Sequence, residues 1–134
     1  MTNIPEGFIE NPMQIGLMKL LGPYYYKPLD DGDMEFAFYA DEHHFNPVGA
    51  LHGGALVSFI DNCMGQSLFM KHQEANATIS LTSDFVASVM EPTWVFGRVE
   101  VTRETRSIIF IRGEAYTRER LLLSCSGVFK RIGK

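Results

Sequence analysis

Residues 46–71 read NPVGALHGGALVSFIDNCMGQSLFMK, and this stretch decides the fold. The loop formers Pro47 and Gly49 precede two adjacent glycines, and the pattern from Gly53 to Lys71 predicts one helix of about five turns. Glycines at a helix start leave backbone N–H groups bare, at the end where the helix dipole favours negative charge. Such N–H groups can hold an oxyanion.

One face of this helix carries a stripe of small and polar residues: Ser58, Asp61, Asn62, Gly65 and Gln66. No lysine or arginine occurs between residues 27 and 71, so Asp61 has no local ion-pair partner. A glycine inside a helix costs about 1 kcal/mol relative to alanine, so Gly65 indicates that a ligand or partner backbone approaches the stripe. Asp61 is therefore a functional candidate, and its alternative is an ordinary solvated carboxylate.

The spacing between Gly53 and Asp61 has a consequence for assembly. Eight residues of helix separate them by about 12 Å along the axis, whereas reacting atoms must approach to about 3–3.5 Å. One helix therefore cannot hold a carbonyl at Gly53 and attack it through its own Asp61. Two antiparallel helices across a two-fold axis would bring Gly53 of one chain to Asp61 of the other. We therefore predict an obligate homodimer with shared sites, and a tetramer of such dimers is left open.

The remaining chain predicts one short helix and about six strands. Asn11 as N-cap and Pro12 at the first helical position predict an N-terminal helix that Gly22-Pro23 ends. A half-buried hairpin follows, made of residues 24–27 and the alternating residues 34–40. Four strand-like segments at 77–87, 93–103, 107–117 and 120–131 predict an antiparallel meander. The fold class is α+β, with the long helix packed on a curved sheet.

Composition limits the class of protein. The chain has 134 residues, 46% hydrophobic and 21% charged, which is typical of one globular domain, so residues 1–134 form a single domain. We expect no membrane partner, because no apolar run approaches ~20 residues, and a cytoplasmic location, because the N-terminus does not resemble a secretory signal. Cys63 and Cys125 lack zinc-site spacing, so we expect two buried thiols and no metal.

Basic residues are concentrated in the last third of the chain. Residues 98–134 hold 9 basic and 4 acidic side chains, whereas residues 1–97 hold 3 basic and 12 acidic. The arginines of this region suit an anionic ligand that carries phosphates, and the alternative is a solvated outer face of the sheet. The net charge of −4 and the absence of a recognition-helix motif argue against nucleic-acid binding.

The central segment resembles that of the hotdog-fold thioesterases. The likeness is to the phenylacetate-degradation type and to the related 4-hydroxybenzoyl-CoA and human acyl-CoA thioesterases, and it rests on Asn46, Gly49, His52, Gly53, Gly54 and Asp61. It extends over the strand layout from about residue 33 to residue 131. The resemblance implies a hotdog fold, in which a curved antiparallel sheet wraps one central helix, and an acyl-CoA thioesterase. Coenzyme A is then part of the substrate, and no separate cofactor is expected.

The resemblance also implies residue roles. The Gly53 N–H polarises the thioester carbonyl, Asn46 helps to position it, and Asp61 of the opposite chain activates water or attacks directly. Thr78 is the nearest match to a hydroxyl residue that assists the carboxylate, across a one-residue gap. His52 orders the loop, with a general-base role as its alternative.

Substrate binding is assigned to two glycines and two arginines. Gly54 belongs to the glycine pair at the helix start, where a ligand can come close, and Gly65 is the glycine of the polar stripe that a ligand or partner backbone approaches. The family usually has a glycine in the turn between the later strands, whereas this chain has Arg103-Glu-Thr-Arg106. Because arginine suits phosphate recognition, we assign Arg103 and Arg106 to the coenzyme phosphates.

Two alternatives remain open at this point. A non-catalytic acyl-CoA-binding or sensing module would keep the pocket and have no use for Asp61. A hotdog dehydratase of 3-hydroxyacyl thioesters would use a histidine with an acid, and His43-His44-Phe45 faintly matches its His-Phe-Pro segment. The Pro-Gly expected before the helix of such a dehydratase is replaced here by His-Gly-Gly.

Overall fold

The computed structural model describes residues 3–132 and shows one long helix packed against a seven-stranded sheet. The strands are β1 (Ile9–Glu10), β2 (Tyr24–Pro28), β3 (Met34–Ala40), β4 (Asn76–Phe85), β5 (Thr93–Glu104), β6 (Ile108–Tyr116) and β7 (Leu121–Arg131). The helices are α1 (Leu17–Leu21) and α2 (Gly53–His72), with a 3-10 turn at Glu42–His44. The strand order is β1-β2-β3-β5-β6-β7-β4, and each neighbouring pair is antiparallel. This is the expected hotdog architecture.

Helix α2 buries one broad face against the sheet and forms the centre of the core. The side chains of Phe59, Ile60, Cys63 and Met64 are fully buried, and Leu68 is 1% exposed. Their partners come from several strands and include Phe36, Phe38, Val95, Ile109, Ile111, Leu122, Leu123 and Phe129. Burial of this face holds the helix in place, because a helix in isolation is only marginally stable.

Three glycines let α2 lie unusually close to the sheet. They occupy β5, β6 and β7, and a Cβ atom on Gly97, Gly113 or Gly127 would meet a helix side chain 2.9 Å away. The atoms that it would meet belong to Phe59, Ile60 and Met64 respectively. These helix side chains therefore pack onto strand backbone, and the position of α2 is tightly defined.

The predicted four-strand meander is wrong in one respect. Strands β5, β6 and β7 do follow one another, but β4 pairs with β7 at the far edge of the sheet, and β5 pairs with β3. The reason is the path of α2, which carries the chain across the sheet from β3, so that β4 starts at the other edge. The bounds predicted for the long helix and for the later strands lie within two residues of those observed.

The predicted N-terminal helix is much shorter than expected. Helix α1 spans only Leu17–Leu21, and its N-cap is Gly16 and not Asn11. The Asn11 side chain is instead 3% exposed, and its Nδ2 donates to Gln66 Oε1 on α2. Asn11 Oδ1 also accepts the Met13 N–H at 2.9 Å, as an N-cap would, but no helix begins there. Gly22 does end the helix, as predicted.

The predicted hairpin of β2 and β3 is confirmed, but it is not half-buried, because the outer face of β3 is covered as well. Phe8 packs on this face with Tyr25, Ala37 and Phe96. Glu35 lies beside this cluster and is 6% exposed.

Glu35 accepts hydrogen bonds from two residues of the β6–β7 region. Arg118 Nη1 donates to its carboxylate at 2.9 Å, and the Tyr116 hydroxyl donates as well. Burial raises the pKa of Glu35, but these hydrogen bonds outweigh burial and leave its pKa below the usual value. The outer face thus contains a buried charge that is paired.

The two cysteines are buried free thiols, as predicted. Cys125 accepts a hydrogen bond from the Ser83 hydroxyl at 3.3 Å, and burial raises its pKa. No helix within residues 3–132 combines the length and the apolar character that crossing a membrane requires.

Candidate active site

The loop before α2 is organised by the Asn46 side chain. Asn46 Oδ1 accepts the N–H groups of Val48 and Ala50, both at 3.1 Å. The Gly49 N–H closes the turn on the Asn46 carbonyl at 2.9 Å, and Gly49 has a φ of 88°, which favours glycine. Asn46 therefore shapes the loop, and its Nδ2 is the side-chain atom left to contact a ligand.

His52 begins α2 as its N-cap. Its Nδ1 accepts the Gly54 N–H at 2.8 Å, and its carbonyl accepts the Ala55 N–H at 3.0 Å. Nδ1 must therefore be unprotonated in this geometry, and a neutral ring carries its proton on Nε2. The contact with Gly54 supports a role for His52 in ordering the loop. It argues against the general-base alternative, because it occupies the only ring nitrogen that has a free lone pair.

Gly53 presents an available N–H at the start of the helix. Within residues 3–132 no hydrogen bond from this N–H is formed, since the Gly54, Ala55 and Leu56 N–H groups take the acceptors of His52. A Cβ on Gly53 would lie 3.0 Å from Phe85 Cε1. The glycine thus makes room for the Phe85 ring, which is 58% exposed and forms one wall beside the N–H.

Asp61 meets Thr78 on the opposite side of a narrow gap. Thr78 Oγ1 donates to Asp61 Oδ1 at 2.6 Å. Strand β4 starts soon after α2 ends and runs back beside it, and an irregularity in the β4–β7 register lies between Thr78 and Ser80. The fold therefore brings together a carboxylate and a hydroxyl that lie 17 residues apart, and this hydrogen bond fixes one carboxylate oxygen.

A cleft of about 380 Å³ opens above this pair, and we call it the helix cleft. It is lined by Met13, Met18, Asp61, Asn62, Gly65, Gln66, Phe69, Asn76, Thr78 and Phe129. Gly65 lies in its wall, where Asn76 Nδ2 donates to the Gly65 carbonyl at 3.1 Å and Asn76 Oδ1 would be 3.4 Å from an added Cβ. The close neighbours of Gly65 within the chain are therefore Asn76 and Phe129, whereas we expected a ligand or partner backbone.

The two halves of the predicted site remain apart within one chain. Gly53 is the first residue of α2 and Asp61 is the ninth, so about 12 Å of helix axis separates them. Their directions around the axis differ by about 80°, at 3.6 residues per turn. One chain therefore supplies two half-sites that do not face each other.

Six of the seven arginines fall into two groups, and the seventh, Arg120, donates to the Ser88 carbonyl. Arg98, Arg112, Arg118 and Arg131 form ion pairs with acidic neighbours. Arg98, Arg112 and Arg118 support the interpretation of a solvated outer sheet face, whereas Arg131 shares the inner face of β7 with Phe129 and pairs with Glu104 beside the end of α2. Arg103 and Arg106 are exposed near the β5–β6 turn, and neither forms an ion pair within the described part of the chain.

Asp41, His43 and His44 form a cluster beside β3. Ligand atoms of Asp41, His43 and His44 lie within 4.8 Å of one another. The buried His44 uses both ring nitrogens, because Nδ1 accepts the Asp41 N–H at 3.1 Å and Nε2 donates to the Leu21 carbonyl at 2.5 Å. Burial lowers the pKa of His44 and favours its neutral form. His44 therefore has no lone pair to offer a metal or a substrate proton, which argues against the dehydratase alternative.

Several residues near the site were missed from the sequence. Phe85 is one, and its position against Gly53 has no local signal because it depends on where β4 lies. Met13 and Met18 were not singled out, because the sequence offers seven methionines that could line an acyl pocket. The Asn11–Gln66 hydrogen bond was not predicted. Asn11 was interpreted as a helix N-cap and Gln66 as part of the polar stripe on the long helix, so neither residue indicated a contact with the other.

Comparison with known proteins gives a consistent family. Residues 48–124 match the model of the "Thioesterase superfamily". The "Putative esterase PA0474" of Pseudomonas aeruginosa is 29% identical over 131 residues, which cover 96% of this chain and 98% of that protein.

Two solved structures share the fold. A Bacillus halodurans protein with CoA superposes with a TM-score of 0.74 at 20% identity, over 81% of this chain and 74% of that one. A mutant of the phenylacetic acid degradation protein PaaI from Thermus thermophilus gives 0.76 at 20% identity, over 86% of this chain and 97% of that one. The family match covers more than half of the sequence and includes Gly53, Asp61 and Thr78. The chain belongs to the thioesterase superfamily.

Proposed function

We propose that this protein hydrolyses an acyl- or aryl-CoA thioester to the free acid and coenzyme A, in sites shared between two copies of the chain. The observation that carries the proposal is the Asp61–Thr78 pair at the floor of the helix cleft. The second group that the reaction needs is the Gly53 N–H at the start of the same helix. This N–H can donate to a negatively charged oxygen, and the helix dipole favours negative charge at this end.

The reaction needs one electrophilic and one basic half-site. The Gly53 N–H of one chain hydrogen-bonds to the thioester oxygen, and the Asn46 amide lies in the loop beside it. Asp61 of the second chain takes a proton from water as the water oxygen attacks the carbonyl carbon, or attacks that carbon itself to form an anhydride that water then opens. In either route the carbon–sulfur bond breaks, and coenzyme A leaves as a thiol after gaining a proton.

Thr78 has a supporting part in this scheme. Its hydroxyl donates to one Asp61 oxygen, so the other oxygen is left to face water or the substrate. A held carboxylate loses less freedom when it reacts. The His52 contact to Gly54 has the corresponding part at the other half-site, because it fixes the first turn of α2.

Exposed apolar surface supports a dimer. Strand β4 is an edge of the sheet, and it exposes Ile79 by 54% and Phe85 by 58%. A ten-residue edge strand with apolar side chains is a surface that proteins normally pair or cover. Pairing β4 with its copy would place the two α2 helices near each other in opposite directions, as the shared site requires.

The substrate's coenzyme part is supported by a relative and by charge. The Bacillus halodurans protein that shares this fold was solved with CoA. In this chain Arg103 and Arg106 are the candidate partners of the coenzyme phosphates, because they are exposed and lack an acidic partner within residues 3–132. A dimer and a tetramer of dimers both remain compatible with this proposal.

The test compares Asp61→Asn and Asp61→Ala with the wild type on a panel of acyl-CoAs, with thiol release as the readout. Asparagine keeps an acceptor for Thr78 but removes the base, so kcat should fall by about 10²–10⁴ in both variants. Asp30→Asn is the matched control, because Asp30 is exposed in the β2–β3 turn and should leave kcat unchanged.

Three outcomes would contradict the proposal. Equal hydrolysis by wild type and both Asp61 variants would remove Asp61 from the mechanism. A wild type that binds acyl-CoA without releasing thiol would make the protein a binding module. A 15.1 kDa monomer in light scattering at micromolar concentration would contradict the shared site.

A further inference from the structure

The N-terminal segment, residues 11–21, is held by polar contacts, and most of its apolar side chains are exposed. The Asn11 N–H donates to the Tyr24 carbonyl at 2.9 Å, and the Asn11 amide donates to Gln66 on α2. The Gln14 side chain accepts the Tyr24 N–H. In contrast, Ile15 is 75% exposed, and α1 has no buried residue. Met18 and Leu21 pack against the core, so these two side chains and the polar contacts together hold the segment beside α2.

Two methionines of this segment form one wall of the helix cleft. Met13 and Met18 face Phe69 of α2 and Phe129 of β7 in the cleft lining. Met18 also packs against the main core, whereas Met13 is 61% exposed at the surface. Methionine is flexible and polarisable, so this wall can adapt to an apolar ligand.

The cleft runs along α2 from Asp61 to Phe69, and the polar residues Asn62, Gln66 and Asn76 also line it. The Asp61–Thr78 hydrogen bond marks its catalytic end, and Phe69 lies eight residues further along α2, which is about 12 Å of helix. With carbon–carbon bonds of about 1.5 Å, an extended chain advances ~1.25 Å per carbon, so ~8–10 carbons would span that length. Apolar side chains together with a few placed polar groups are the usual lining of a small-molecule site.

We infer that the N-terminal segment sets the acyl specificity of this site, with Met13 and Met18 enclosing an unbranched acyl chain of about eight to ten carbons. This inference rests on the proposed function, since Asp61 locates the thioester carbon at its own end of the cleft. The Asn11–Gln66 hydrogen bond holds the wall at its working distance from α2. Met13 and Met18 are specificity residues and make no contact with the reacting atoms.

The test is a chain-length profile of kcat/KM from butyryl-CoA to hexadecanoyl-CoA, with phenylacetyl-CoA included. The wild type should peak near eight to ten carbons. Met13→Trp fills the cleft, so kcat/KM for decanoyl-CoA should fall about tenfold or more while butyryl-CoA changes less than about twofold. Met18→Ala enlarges the cleft and should move the peak to longer chains. Leu20→Trp is the control, because Leu20 is 72% exposed on α1 and does not line the cleft, and its profile should match the wild type.

A binding measurement separates this inference from the proposed function. Alkyl-CoA thioethers cannot be hydrolysed, and their affinity for the wild type should rise about fourfold per methylene until the cleft is filled. Beyond that chain length the affinity should stay constant, and in Met13→Trp this plateau should be reached at a shorter chain.

The kinetic and binding measurements distinguish failure of this inference from failure of the proposed function. Unchanged profiles and plateaus in both methionine variants would overturn the inference and leave hydrolysis standing. A shifted plateau without any thiol release would overturn the proposed function and retain the cleft as an acyl site. A wild-type preference for phenylacetyl-CoA over every straight chain would overturn the aliphatic assignment.

Discussion

Replacement of Gly53 with proline removes one N–H group from the start of α2 and leaves the helix able to form. Gly53 is the first helical residue, a position where proline is well tolerated. His52 before it has φ −65° and ψ 131°, which is the backbone region that a residue preceding proline favours. If the Gly53 N–H holds the oxyanion, loss of this donor should lower kcat by about 10²–10³.

Gly53→Ala is the matched comparison for this variant. Alanine and proline both add a Cβ, which would lie 3.0 Å from Phe85 Cε1. The Phe85 ring is 58% exposed and can turn away, so both variants carry the same local disturbance. Only proline also lacks the N–H, and its Cδ takes the place of that hydrogen. The kcat ratio between the two variants therefore measures the loss of the donor together with the space that Cδ takes beside the thioester oxygen.

The assay is thiol release at saturating acyl-CoA, with circular dichroism and light scattering as checks on the helix and the assembly. The expected ratio corresponds to about 2.7–4 kcal/mol of transition-state stabilisation. A Gly53→Pro protein that is folded and dimeric, and that turns over within about threefold of Gly53→Ala, would refute the assignment of this N–H.

Two further predictions concern the shared site and the outer face of the sheet. A mixture of inactive Asp61→Asn and Gly53→Pro chains should regain about a quarter of wild-type activity, because random pairing makes half of the dimers mixed and each mixed dimer has one intact site. No recovery after subunit exchange would mean that both groups act from one chain. Glu35→Gln should lower the free energy of unfolding by about 1–3 kcal/mol at pH 7, because it breaks charged hydrogen bonds from Arg118 and Tyr116. The pKa of Glu35 is lowered in the fold, so this contribution is present above its usual value of 4.5 and is lost as the pH falls through the lowered pKa. Urea unfolding at pH 7 and pH 3 checks this, and an equal difference at both pH values would contradict it.

Local patterns predicted the elements of this fold better than their arrangement. The start of α2 was predicted correctly because Gly53 and Gly54 follow a loop, and its end lies one residue beyond the predicted Lys71. The position of β4 in the sheet could not be predicted from local patterns. Its partner β7 comes some 40 residues later, and no feature of residues 77–87 indicates with which strand they pair. Asn11 was misassigned for a similar reason, since its hydrogen bond to Gln66 joins residues 55 positions apart.

In the candidate site too, local features were predicted from the sequence and long-range contacts were not. Asp61 and Gly53 were predicted from helix chemistry and spacing, and Thr78 came only from the family resemblance. The structure brings Thr78 to Asp61, but the sequence needed a gap to align it, and the irregular register after Thr78 lies beside that position. Phe85 was beyond prediction, because its contact with Gly53 exists only once β4 has folded back past α2.

Helix α2 packs closely against Gly97, Gly113 and Gly127, so substitutions at these three positions are poorly tolerated. Any larger residue at these positions would push the helix outward and displace Gly53 and Asp61 together. The N-terminal segment touches the same helix through one amide contact and two methionines. If the protein is the proposed thioesterase, mutations in residues 11–21 should alter the preferred acyl chain while hydrolysis is retained.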